Sequence, residues 1–186
     1  PQGHSNYTIH AHQRNELLII DTPGQIRFVC NSNVHTITTP AAVWLRTGVF
    51  HQTAEVSNGD FHCAVIYYHD KLFANLPQQL LHTAFLSGCD MFVLPLSRQQ
   101  VQELVQLTAP LRTKSEAQFQ QILLLLCLFD KLSSFSAHSD QALRIHDAPH
   151  YVFRLASQLQ DLSSPTPTLE DLSRAYFVGQ SKLNAD

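Results

Sequence analysis

Three imidazoles and one carboxylate are the groups in this chain best placed to do chemistry. His10 and His12 stand two apart in HAHQRNE, Glu16 follows four residues later, and His51 closes the separate segment GVFH. On a strand alternate side chains share a face, so His10 and His12 point the same way. Glu16 can rejoin them where the next strand begins, and His51 must come from elsewhere in the fold. Neutral imidazole and carboxylate together suit zinc, nickel, iron or manganese and leave an open position for water or a ligand. Nothing in the sequence selects among these ions. With eleven histidines in the chain, an H-x-H pair also arises by chance, and a strand histidine can simply satisfy itself by hydrogen bonding. Metal, organic ligand and water all remain open as occupants.

The elements that must position these residues differ between the two halves of the chain. Up to about residue 75 short apolar runs alternate with turn chemistry: ELLIID, Thr22-Pro23-Gly24, QIRFVC, Asn31-Ser32-Asn33, VHTITTP, AVWLRT, VFHQTAEV, Ser57-Asn58-Gly59-Asp60 and FHCAVIYYH. Brief strands broken by Gly, Asn and Pro turns predict an antiparallel barrel or jelly roll. In QIRFVC the apolar Ile26, Phe28 and Cys30 fall on one face, with Gln25 and Arg27 on the other, as in a sheet with one face in a core. Arg27 could instead point into a ligand-filled interior.

The first motif, H-x-H with Glu after three residues, and the second, G-x-x-H after an intervening hairpin, resemble the two sequence motifs of cupins. All four ligand-type positions match. The chain departs from that pattern in having His4 where a glycine usually precedes the first motif, and Arg46 where a proline usually stands two before Gly48.

Past Asp70-Lys71 the period becomes helical. Ser97 with Gln100 is a capping box, followed by Val101, Leu104 and Val105 and a stop at Pro110. Thr113 with Glu116 repeats the device ahead of Phe119, Ile122, Leu123 and Leu126. Leu124, Leu125 and Leu128 fill the remaining faces of that helix, so it must be covered on more than one side. Burial between a neighbouring helix and the barrel would do this, and so would a subunit interface. A further helical stripe, Val152, Leu155, Ala156 and Leu159, begins near Pro149. After a Ser-Ser-Pro-Thr-Pro loop, Thr168 with Asp171 caps a short helix, Phe177 to Gly179 can turn, and Gln180 opens another helix. That is a helix-turn-helix plan.

A cupin-like barrel, two linker helices and then LEDLSRA-x-x-V-x-x-S-x-L together resemble the AraC/XylS family of bacterial transcription regulators over essentially the whole chain. Leu169, Leu172, Val178, Ser181 and Leu183 fall on that family's characteristic positions. Gly179 stands where Ser commonly caps the recognition helix, Asn184 to Asp186 lack the usual basic residue, and the sequence stops inside the first helix-turn-helix unit. The resemblance implies an α+β fold, an antiparallel cupin-like β-barrel (jelly roll) followed by a helical dimerisation region and a truncated helix-turn-helix segment. It implies an effector-binding barrel over 1–75, linker and dimerisation helices over 76–146, and the start of the DNA-binding domain over 147–186. The expected function is sensing of a small-molecule effector by a homodimer that reaches DNA through the full-length protein.

The effector-binding candidates are His10, His12, Glu16, Arg27, Trp44, Arg46 and His51, which supply a few polar groups and an apolar wall. Trp44 reads equally as a core residue, and Arg27 and Arg46 as solvated ones. His10, His12, Glu16 and His51 double as candidate ligands for a divalent transition metal, and no other cofactor is indicated. Gln180, Ser181 and Lys182 are the DNA-facing candidates. A metal-dependent cupin enzyme, an oxygenase or isomerase, is the competing expectation and would use the same four ligands. The helix-turn-helix remnant favours the regulator and a non-enzymatic role.

Composition narrows the remaining classes. The 186 residues are 44% apolar, enough for a core. A net charge of -3 with only 12 Lys plus Arg argues against a broad grip on phosphate backbones. Cys30, Cys63, Cys89 and Cys127 form no C-x-x-C pair, and free thiols in a reducing, cytoplasmic setting are expected. The run ILLLLCLF is too short to span a bilayer, and no membrane partner is expected. The chain opens on Pro1, which suggests that the native start lies elsewhere. G-x-S-x-G, P-loop and dinucleotide fingerprints are absent from the sequence.

Overall fold

The computed structural model describes residues 9–31, 33–56, 62–74, 76, 86, 88–112, 118–146, 168 and 170–171. Among these residues six strands form one antiparallel sheet: β1 (Asn15–Cys30), β2 (Asn33–Leu45), β3 (His51–Val56), β4 (Cys63–Tyr68), β5 (Met91–Pro95) and β6 (Leu143–Ile145). Their order is β3-β1-β2-β5-β6, with β4 also paired to β1. Among the described residues two α-helices, α1 (Arg98–Thr108) and α2 (Gln118–Ala137), join the sheet in a mostly antiparallel α+β fold.

β1 organises the sheet because its two halves have different neighbours. The first half pairs with β4 through Asn15↔Tyr68 to Ile20↔Cys63. The second half pairs with β3 through Ile26↔Val56 to Cys30↔His51. β2 runs along both halves, and the register slips between Ile20 and Gly24. The Thr22-Pro23-Gly24 turn signal is therefore a bulge inside one strand, with Gly24 at φ 147. The Asn31 signal is a true hairpin turn, with Asn31 in the left-handed region at φ 52.

Side-chain parity splits the core in two. Leu17, Ile19, Ala42, Trp44, Phe92 and Leu94 join Val101 and Leu104 of α1 and Leu125, Leu128, Phe129 and Leu132 of α2. Leu18, Ile20, Ala41, Val43, Leu45, Met91 and Val93 point the other way. There they meet Ile26, Phe28 and Cys30 from the far half of β1. A strand buried on both faces reads as a continuous apolar run, and LLII does so.

The helical region takes two strands into the sheet. β5 pairs with β2 through Ala41↔Pro95 to Leu45↔Met91, and β6 pairs with β5. The expected division at residue 75 thus does not separate sheet from helix. α1 starts as its sequence requires: Ser97 Oγ accepts from Gln100 N at 3.2 Å, and Ser97 N donates to Gln100 Oε1 at 2.8 Å. α1 gives way after Thr108 to a 3-10 turn, Ala109–Arg112. α2 is not covered all round. Leu125, Leu128, Phe129 and Leu132 are buried, whereas Phe119, Leu123 and Cys127 are exposed. Residues 113–117, including the Thr113 and Glu116 pair, lie outside the described residues. Thr168 and Asp171 do form their capping pair, with Asp171 N donating to Thr168 Oγ1 at 3.2 Å and Thr168 N donating to Asp171 Oδ2 at 3.0 Å. Among the described residues no helix is long and apolar enough to cross a membrane.

Candidate functional site

The segment before β1 reaches the site by pairing with β3. His10 N donates to His51 O at 3.1 Å and His51 N to His10 O at 2.9 Å, which fixes these two residues side by side. Gly48 N donates to His12 O at 2.9 Å from a turn that holds Gly48 at φ 78, a conformation that favours glycine. His51 opens β3 opposite Cys30, and its ring stacks on Phe28 at 6.2 Å. Glu16 has the parity of Leu18 and Ile20, and is 4% exposed.

These constraints bring His10, His12, Glu16 and His51 together. The ring centroids of His51 lie 4.4 Å from His10 and 5.1 Å from His12, and those of His10 and His12 are 6.0 Å apart. His12 Nε2 is 2.8 Å from Glu16 Oε2 and His51 Nε2 is 2.9 Å from the same oxygen. The His51 contact lacks the alignment of a hydrogen bond, and its Nε2 is buried without a hydrogen-bond partner. The other ring nitrogens are committed to the backbone. His12 Nδ1 lies 2.7 Å from Arg14 O and His51 Nδ1 lies 2.9 Å from Val49 O.

The electrostatics follow from this geometry. Burial pushes the Glu16 carboxyl up, but the imidazoles of His12 and His51 outweigh it and bring it down to about 2. The hydrogen bond with Glu16 holds His12 above its ordinary 6.5 against the opposing effect of burial. Burial, and after it the charge of Glu16, pushes the Cys63 thiol up to about 12, so it offers no thiolate to this site near neutral pH. The cluster can hold positive charge beside a buried carboxylate, or donate three imidazole nitrogens and a carboxylate oxygen to one ion.

The remaining effector candidates lie elsewhere. Arg27 is exposed on the outer side of β1. Trp44 is buried in the helix-facing core and donates Nε1 to Tyr68 Oη at 2.8 Å. It neighbours Leu45, the partner of Glu16, and parity turns it to the opposite face of the sheet. Arg46 pairs with the buried carboxylate of Asp90. Gln180, Ser181 and Lys182 fall outside the described residues.

Several neighbours of the site carry no local motif. The Tyr67 ring meets the His12 ring edge to face at 5.1 Å. Buried Asn15 donates to Asp70 Oδ1 at 2.5 Å and accepts from Thr47 N at 2.9 Å, tying the Gly48 turn to the 3-10 turn Asp70–Phe73. A groove of about 810 Å³ runs between β4 and the helices. Ile66, Leu72, Leu111 and Leu125 give it apolar walls, and Arg14, His69 and Lys71 are its basic lining residues. A recess of about 380 Å³ shares Arg14, Tyr67 and His69 with the groove and extends to His12. The only hint in the sequence is the basic trio flanking β1 and β4.

No protein-family model and no curated protein sequence matches this chain. Solved structures do. Apo ToxT K231A from Vibrio cholerae strain SCE256 matches with a TM-score of 0.53 at 12% identity, over 97% of this chain and 68% of ToxT. ToxT from Vibrio cholerae O395 bound to (E)-4-(8-methylnaphthalen-1-yl)but-3-enoic acid matches with a TM-score of 0.50 at 12% identity, over 95% of this chain and 69% of that one. The AraC-like transcriptional activator CuxR is a weaker likeness, with a TM-score of 0.46 at 12% identity over 92% of this chain and 59% of that one. At 12% identity the likeness to ToxT shows a shared fold.

Proposed function

We propose that this chain is the effector-binding and dimerisation region of an AraC-type transcription regulator, a cytoplasmic module that senses a small molecule and catalyses nothing. The observation that carries this reading is the fold shared with ToxT over 97% of the chain. The two-core sheet supports a cupin-like barrel as the sensing part. The capping pair at Thr168 and Asp171 supports a helix-turn-helix start, with Gln180, Ser181 and Lys182 facing DNA in the full-length protein. The outward Phe119 and Leu123 of α2 are the natural contact of a homodimer. The His/Glu cluster favours, as a second reading, a metal-dependent cupin enzyme.

The effector class follows from the groove. Its apolar walls beside Arg14, Lys71 and His69 suit a small apolar acid, whose body leaves water while its carboxylate meets the cations. One of the matched ToxT structures holds such an acid, a naphthalenyl butenoic acid. Trp44 is the chain's one tryptophan and bonds to Tyr68 in the groove wall, so it is a built-in reporter. Titration with a naphthyl-substituted short-chain acid is expected to change Trp44 fluorescence saturably. The double charge reversal Arg14→Glu, Lys71→Glu should weaken binding about 10-fold or more, because each lost cation contact to a carboxylate is worth about 1.5 kcal/mol or more. Saturable binding that ignores the charge reversal would place the effector elsewhere, and no binding of any apolar acid would remove this effector class.

A further inference from the structure

We propose that the outer edge of β4 docks an extended acidic segment of a partner protein, which adds to the sheet as a further strand. The inference rests on how the groove between β4 and the helices is lined. Every residue from Cys63 to His69 contributes to its wall in turn. Successive side chains of a strand point to opposite faces, so an unbroken series lines a cavity only where the strand's edge turns toward it. β4 pairs with β1 on one side, and among the described residues no strand pairs with it on the other. The ladder fixes which backbone groups face out. Asp21 N donates to His62 O at 3.3 Å just beyond the pair Ile20↔Cys63, so hydrogen bonding to β1 falls on the alternate pairs Ile19↔Ala64, Leu17↔Ile66 and Asn15↔Tyr68. The N–H and C=O of Val65 therefore point away from β1, toward the groove.

That edge is suited to accept a strand. Edge strands are commonly protected by Lys, Pro or a bulge, and CAVIYY has none of these. Ala64 and Ile66 face the helices, where Leu111 and Leu125 form the opposite wall of the groove. Val65 and Tyr67 face the other way and are 44% and 49% exposed. An incoming strand would bury alternate side chains against Ile66, Leu111 and Leu125 and leave the others in water, which calls for a segment of alternating apolar and polar residues. Charge selects the occupant. Arg14, His69 and Lys71 gather at the carboxy-terminal end of β4, and no Asp or Glu is among the described residues lining the groove. A second β4 laid along the edge would bring no carboxylate, since CAVIYY contains none. A segment with acidic residues at one end meets these cations while its backbone meets Val65. The six residues of β4 span about 20 Å at about 3.3 Å per residue, which matches an extended segment of about six residues.

The proposal does not rest on the effector reading, although both use this groove. The full 186-residue chain is titrated into a fluorescein-labelled peptide, Glu-Glu-Val-Thr-Val-Thr-Val-Thr, and binding is read as fluorescence anisotropy. The expected result is saturation with a Kd of about 100 μM or tighter, weakened about 10-fold when Lys-Lys replaces Glu-Glu. Methylating the backbone nitrogens of the three valines, or of the three threonines, removes one alternate set of donors and keeps the side chains. Only one set faces β4 in a ladder, so one methylated peptide should bind at least about 10-fold more weakly than the other. Val65→Pro removes the outward N–H without touching the bonds to β1 and should weaken the parent peptide about 10-fold, with circular dichroism checking the fold. The methylated peptides give the same answer on the unaltered chain. Absence of saturable binding, equal binding of the two methylated peptides, or indifference to Lys-Lys would overturn the proposal. So would self-association that Val65→Pro abolishes, which would make the occupant a second copy. The naphthyl-substituted acid should displace the peptide. If the peptide binds and no apolar acid does, the effector reading alone falls, and the reverse result removes this proposal alone.

Discussion

Replacing Glu16 by Gln in the metal-free chain isolates the electrostatics of the site. The side chain keeps its size and loses the charge that His12 and His51 face at 2.8 and 2.9 Å. Glu16 titrates at about 2 in the folded chain against an ordinary 4.5. At about 1.4 kcal/mol for each tenfold change in proton affinity, the fall from 4.5 to about 2 sets a ceiling of about 3.5 kcal/mol on the stability this carboxylate contributes. The sign follows from linkage. A depressed carboxylate stabilises above pH 4.5, and its contribution fades as the pH falls toward 2. His12, raised above 6.5, stabilises while protonated, and its contribution fades as the pH rises above 6.5. The difference between wild type and Glu16→Gln should therefore be greatest between about pH 4.5 and 6.5 and shrink on both sides. For a chain of this size 3.5 kcal/mol corresponds to about 7–14 °C in Tm. Urea unfolding of both proteins in EDTA at half-unit steps from pH 3 to 8 measures the difference directly. Parallel pH profiles, with a constant offset, would refute the coupling of Glu16 to the two imidazoles.

Two further outcomes test the outer surfaces. Leu123→Glu should shift a dimer toward monomer in sedimentation while leaving the fold intact, because Leu123 is 44% exposed on α2. Leu125→Glu, at 5% exposure, should instead unfold the chain, since a carboxylate in that core finds no partner. In a mobility-shift assay this chain should bind duplex DNA only weakly, without sequence preference, and lose it in moderate salt, given its net charge of -3. A salt-resistant, sequence-selective complex would contradict that.

The fold was legible where periodicity and turn chemistry spoke together, as in QIRFVC, the Asn31 hairpin and the Ser97 capping box. It was not legible at Thr22-Pro23-Gly24, because a bulge and a tight turn ask for the same residues. MFVLP is five apolar residues long, and a run of that length reads as strand or buried helix alike. Only its pairing with β2 makes it β5. The outward face of α2 was hidden for a related reason: Leu123 and Leu125 are the same residue type, and which of them meets the sheet depends on how the helix is rotated against it.

The site shows the same boundary from the other side. His10, His12 and Glu16 were readable as a group because their spacing alone puts them near one another. His51 was readable through its own motif. Trp44 and Arg46 also lie close to His51 in sequence, yet sit apart from it: β2 pairs Leu45 with Glu16 and so sends its neighbour Trp44 to the opposite face, and Arg46 is held by Asp90. A slip of one residue in that register would exchange the two faces, burying Leu17 where Glu16 now meets the histidines. Asn15 opposes such a slip. It bonds Thr47 across 32 residues and Asp70 across 55, so it locks β1 to the Gly48 turn on one side and to the end of β4 on the other. A polar side chain 1% exposed beside the site is costly unless its partners are in place. Those partners exist in one register only, which makes Asn15 the residue that keeps Glu16 facing His12 and His51.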